Sequence, residues 1–101
     1  MTEITIYKSK AGEYRKFMCD GHAAYADYGQ DIVCAAISVL VINTVNALEE
    51  ITKEPIQVEA DEKAGRISCT FLRQPLLETS VALMDSLALG LSRIEAQYGK
   101  K

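Results

Sequence analysis

The sequence predicts an α+β domain in which an antiparallel sheet carries two helices on one side, in the order ββαββα. Three observations predict it. Short stretches of period-two alternation come in two pairs, each joined by a turn-forming segment. A long stretch of helical pattern follows each pair. Each of those helices carries apolar residues that need a surface, and one face of a sheet supplies it. With 101 residues and no Pro-, Ser- or Gly-rich linker, the chain reads as a single domain over residues 1–101.

The elements follow in order. Ile4-Thr5-Ile6-Tyr7 alternates, Lys8 to Glu13 contains the turn-forming Ala11-Gly12, and Tyr14 to Cys19 is a second strand that ends at Asp20-Gly21-His22. Residues 23–30 carry Tyr25, Asp27, Tyr28 and Gly29 without periodicity and are expected to be a loop. Asp31 is expected to be the N-cap of a helix through Ile32-Val33-Cys34-Ala35-Ala36 and on to about Lys53-Glu54-Pro55. Its first half is apolar almost all round, so it is either central to the fold or covered by a partner. Ile56, Val58 and Ala60 alternate, residues 61–65 turn, and Ile67, Cys69 and Phe71 alternate again. Pro75 stands at the start of a last helix whose stripe is Leu77, Val81, Met84, Leu87, Leu91, Ile94 and Tyr98. The two halves share this element order without a detectable sequence repeat.

Composition narrows the function. Nearly half of the residues are apolar and a quarter are charged, the balance of a globular protein that buries a modest core. The net charge is −3 and the short Lys clusters lie near the two ends, so no basic stripe is in place for direct nucleic-acid binding. The apolar run over residues 32–42, broken by Ser38, is too short to cross a bilayer, which takes about 20. The polar start Met1-Thr2-Glu3 is not that of a signal peptide, and a cytoplasmic protein is expected. Cys19, Cys34 and Cys69 are odd in number and lack metal-ligand spacing, so neither a disulfide framework nor a zinc site is suggested. Cys19 and Cys69 fall in strands and are expected in the core.

The stretch Asp20 to Ala36 holds the chain's only histidine and, twelve positions on, Cys34. With Asp31 as N-cap, Cys34 would be the third helical residue, near unpaired N–H groups and the positive end of the macrodipole, where thiolate is favoured. His22, at the end of a strand and one loop away, can reach that helix end as a base or ion-pair partner. Packing accounts for the same residues, since a cysteine among Ala and Ile is a common core residue. Metal binding by His22, Cys34 and Cys19 lacks a fourth ligand.

The residues themselves carry more. Asp20-Gly21-His22-Ala23, Tyr25, Gly29, Asp31-Ile32-Val33-Cys34-Ala35-Ala36 and Ser38 form a pattern that closely resembles the ribosomal-processing cysteine protease family, Prp. The likeness extends to the N-terminal hairpin, to Val45-Asn46-Ala47-Leu48 and to the last helix through Glu95 and Tyr98. The resemblance implies a cysteine endopeptidase that removes a short N-terminal extension from the large-subunit ribosomal protein numbered twenty-seven. It implies His22 as base, Cys34 as nucleophile, no cofactor, a protein substrate and a homodimer. A dimer would also explain a first helix apolar all round.

The implied chemistry is acyl transfer through a thioester on Cys34. Around the dyad, Asp31 either orients His22 or caps the helix. Ser38, one turn after Cys34, either bonds to Asp31, His22 or the backbone, or fills a buried polar gap. Gly21 gives a sharp turn or close approach of substrate. The loop with Tyr25, Tyr28 and Gly29 is expected to close over an extended peptide. Helix-start N–H groups, including that of Cys34, are expected to form an oxyanion hole. Two other readings stay open on these residues: a non-catalytic ribosome-associated binding or assembly module of the same fold, and redox sensing through Cys34.

Overall fold

The computed structural model describes residues 3–20, 28–61 and 65–98, with the backbone alone at positions 28–32, 34 and 98. Strand β1 spans Glu3–Lys8, β2 Tyr14–Asp20, helix α1 Tyr28–Glu50, β3 Ile56–Asp61, β4 Arg66–Phe71 and helix α2 Glu78–Tyr98. The strands form one antiparallel sheet in the order β1-β2-β4-β3, as the paired alternations predict. Both helices contribute to one core with the inner sheet face: Val41, Val45 and Leu48 from α1 and Met84 and Leu87 from α2 close over Phe17, Cys19, Cys69 and Phe71. Phe17 and Phe71 meet with ring centroids 6.3 Å apart, tilted by 53°, a favourable separation for an aromatic pair.

Register explains an irregular alternation in β2. Tyr14, Phe17 and Cys19 are all buried, although Tyr14 is out of phase with the other two. Tyr7 pairs with Lys16 and Lys8 with Tyr14, which leaves Arg15 as an extra residue in a bulge. The bulge resets the phase, so Tyr14 turns inward as well. The turn between β1 and β2 closes through Gly12 at φ 87°, a conformation glycine adopts without penalty.

The helices lock together at the end away from the β2 terminus. Lys53 takes a left-handed φ of 58° after α1, and the Glu54 N–H donates to the Leu48 carbonyl at 2.9 Å. Glu54 then turns inward at 4% exposure and its Oε1 accepts from the Leu77 N–H at 3.0 Å. This carboxylate caps α2, which explains why the helix begins at Glu78 and not at Pro75 as the sequence pattern suggests. Thr52 and the fully buried Ser80 share a hydroxyl hydrogen bond of 2.9 Å between the helices. Gly90 lets them approach: a Cβ there would lie 3.1 Å from Leu40 Cδ1.

The stripe expected on α2 is observed from Leu77 to Ile94, with Met84 and Leu87 fully buried at its centre. Helix α1 departs from one of the two placements its sequence left. It is not central, because Val39 is 65% exposed and Ile42 44%.

Candidate active site

Strand β2, an inner strand, ends at Asp20, and His22 follows two positions later. Gly21, His22 and Tyr25 lie outside the described residues. The chain re-enters the described region at Tyr28, already helical. This corrects the expected N-cap at Asp31 and the expected loop through Gln30. Tyr28 and Gly29 are the first two residues of α1, and Asp31 is the fourth. Once the apolar segment has supplied a helical nucleus, each added residue costs little, and even glycine's penalty of about 1 kcal/mol does not stop propagation.

The correction moves Cys34 from the third helical residue to the seventh. The macrodipole acts mainly within the first turn, so it contributes little at that depth. A seventh helical residue also has its own N–H engaged with the carbonyl four residues back.

Position 34 falls on the α1 stripe that continues through Ser38 and Val41 to Val45 and Leu48. Ser38 is half-buried and engaged, and Val41, Val45 and Leu48 are buried, so this stripe is the side of α1 turned to the sheet. Fourteen residues separate positions 34 and 48, about 21 Å along the axis. That is about the length of a six-residue strand. Leu48 lies near the start of β3, through the Glu54 reach-back and the pairing of Ile56 with Phe71. Position 34 is thereby set at the opposite end of the sheet, where β2 stops. The segment carrying His22 leaves from that same end.

The surroundings of that end are acidic. Glu3, Asp20, Arg66 and Asp61 stand opposite one another across the four strands. Arg66 donates to Asp20 at 3.3 Å, an exposed pair of small energetic weight. Among the described residues no cluster of three or more His, Cys, Asp or Glu could hold a metal ion.

Cys19 and Cys69 are both fully buried on the inner sheet face, as their strand positions predict. Burial, with a smaller contribution from the Glu49 charge, pushes the Cys69 thiol up to about 12. It is protonated and sealed at neutral pH, the state of a structural cysteine.

The family model described as cysteine protease Prp matches residues 1–101. A Staphylococcus aureus protein named ribosomal processing cysteine protease Prp is 27% identical over 100 residues, covering 99% of this chain and 93% of its own. The crystal structure of S. aureus Prp with a substrate peptide is similar with a TM-score of 0.90 at 25% identity, covering 100% of this chain and 94% of that one. A second S. aureus Prp structure, with a covalently linked product peptide, gives a TM-score of 0.85 at 26% identity over 99% of this chain and 93% of that one.

Proposed function

From the premise that this chain belongs to the cysteine protease Prp family over its whole length, and is a thiol peptide hydrolase, we propose that it trims a bacterial ribosomal protein with Cys34 as nucleophile and His22 as base. The observation that carries the reading is the relative of the same fold whose product peptide is covalently linked. A covalent peptide is what nucleophilic catalysis leaves behind. Cys19 and Cys69 are sealed in the core, and Cys34 is the remaining thiol.

The steps balance as acyl transfer. The Cys34 thiolate attacks the scissile carbonyl, and the oxyanion that forms is received by N–H groups of the first turn of α1. His22, as imidazolium, protonates the leaving amine, and the C–N bond breaks to give a thioester and the shortened protein. Water, deprotonated by His22, then hydrolyses the thioester and frees the N-terminal extension. Gly21 lets the substrate backbone approach, and the 23–27 segment, with Tyr25, closes over an extended peptide that Tyr28 and Gly29 flank at the helix start. Asp31 and Ser38, one turn before and one after Cys34, hold the dyad in place as positioning residues.

The substrate is the precursor of the large-subunit protein numbered twenty-seven, and the enzyme acts in the cytoplasm. No described helix is long and apolar enough to cross a membrane. The protein works as a homodimer. Val39 and Ile42 stand exposed on the outer side of α1 beside the exposed Ala35, an apolar strip that a second copy would cover. The test of the substrate is exposure of a mixture of purified large-subunit proteins, the precursor among them, to the enzyme. Mass spectrometry should show one protein shortened, at one site near its N-terminus. Trimming of several unrelated proteins, or of none, would refute the assignment.

A further inference from the structure

The sheet face turned away from the helices is sorted by charge along its length. At the end where β2 stops, the cross-strand row is Glu3, Asp20, Arg66 and Asp61. Toward the other end the row is Tyr7, Lys16, Thr70 and Gln57. There an open cleft of about 470 Å³ is lined by Arg15, Lys16 and Arg73 together with Tyr7, Thr70 and Leu72. Lys8 and Lys10 stand in the adjoining hairpin, so five of the chain's 11 Lys and Arg gather at this end of a protein with net charge −3.

Two backbone features build the cleft. In a regular strand Arg15 and Lys16 would point to opposite faces. The bulge at Arg15 lets both line one cleft. Arg73 arrives from the segment that leaves β4, where its Nε donates to the Pro75 carbonyl at 3.3 Å. Lys16 Nζ sits 5.7 Å from the centre of the Tyr7 ring. Among the described residues none of these three cations is paired with a carboxylate. Like charges left unneutralised side by side repel, and an anion relieves that repulsion.

We propose that this cleft binds single-stranded RNA through its phosphodiester backbone. Two guanidinium forks and an ammonium offer the donors that phosphate oxygens accept best. Tyr7, 37% exposed on an open sheet face, gives a base a ring to stack on within reach of the same cations. An acidic peptide would use the cations and leave that ring idle, which is why RNA is favoured. The acidic row at the opposite end keeps the polyanion off the catalytic side. The site is separate from the candidate active site and does not depend on the protease reading.

The test is fluorescence anisotropy of a labelled uridine oligomer of about twelve nucleotides with the full-length protein. Saturable binding is expected, weakened about tenfold or more by the Arg15→Glu/Arg73→Glu double variant and unchanged by Arg93→Glu on α2. With three phosphate contacts, raising salt from about 50 to about 200 mM should cost roughly twenty-fold in affinity. Tyr7→Ala should weaken binding about fivefold or more. Far-ultraviolet circular dichroism checks the fold, and Arg15→Gln/Arg73→Gln serves the comparison should the reversal not fold. No saturable binding at the lower salt, or equal binding by the charge-reversed protein, overturns the proposal. Displacement of the RNA by an oligoglutamate of equal charge at equal concentration overturns it in favour of an acidic peptide.

Discussion

Iodoacetamide added to the folded protein at pH 7 should label Cys34 long before Cys19 or Cys69. The size of the gap follows from the structure. With its thiol pushed up to about 12, Cys69 is thiolate in about one molecule in 10⁵, against a few per cent for a thiol at the ordinary value of about 8.5. The more basic thiolate is the better nucleophile, which returns roughly forty-fold of that roughly 3,000-fold deficit. Close to a hundredfold remains from titration alone. Cys69 is also 0% exposed on an inner strand, so reagent must wait for an opening. Once opened the thiol titrates in water at its ordinary value, so the opening equilibrium sets that route, and even a stability at the low end of the usual range, about 5 kcal/mol, holds it more than a thousandfold down. A Cys34 no more reactive than an ordinary thiol should therefore lead by more than about 10³. The assay is pulsed alkylation followed by peptide mapping, repeated with His22→Ala, whose loss should shift the pH profile of Cys34 labelling. Labelling of Cys19 or Cys69 within tenfold of Cys34, or a Cys34 that reacts only after unfolding, would refute the reasoning.

Other perturbations have equally definite outcomes. Tyr14 donates to Asp85 Oδ1 at 2.5 Å, and burial first, then that hydrogen bond and the carboxylate's charge, push its phenol up to about 12. A raised folded-state pKa contributes stability in full below about pH 10 that is lost as pH rises through about 12, and Cys69 acts in the same sense from about 9. Thermal melts should accordingly fall above about pH 9, and Tyr14→Phe should flatten part of that fall while costing about 1–2 kcal/mol at pH 7. Glu54→Ala removes the cap on α2 and should lower urea stability by about 1–3 kcal/mol, whereas Glu54→Gln, which keeps an acceptor for the Leu77 N–H, should cost less. Val39→Glu/Ile42→Glu should shift sedimentation from dimer to monomer without loss of fold, since both side chains are exposed within the chain; an unchanged sedimentation coefficient would count against the α1 interface.

The sheet was legible because one buried face writes period two into each strand. Ile4 and Ile6, Ile56, and Ile67, Cys69 and Phe71 all pack inward as their alternation predicts. The start of α1 was not. Asp31 looks like a cap because the apolar segment begins after it, yet nothing at Tyr28, Gly29 or Gln30 forbids one more turn. The start of α2 was equally hidden, because its capping carboxylate, Glu54, comes from the other side of a hairpin. The candidate site was legible as a resemblance and not as a geometry: the family motif names His22 and Cys34, but their approach depends on where a strand ends and how deep in a helix the cysteine stands. The basic cleft had no linear signature at all. Arg73 joins Lys16 only through the sheet, and Arg15 joins it only through a bulge.

Peptide hydrolysis by Cys34 is tested by cleavage of the ribosomal protein precursor by the purified enzyme beside Cys34→Ala, His22→Ala and Cys69→Ala variants, read by intact-mass spectrometry. One cut near the N-terminus is expected, abolished in Cys34→Ala, lowered by two or more decades in His22→Ala, about 10²–10⁴-fold for a lost general base, and retained in Cys69→Ala. Cleavage that survives Cys34→Ala, or a folded enzyme that leaves the precursor intact, would contradict it.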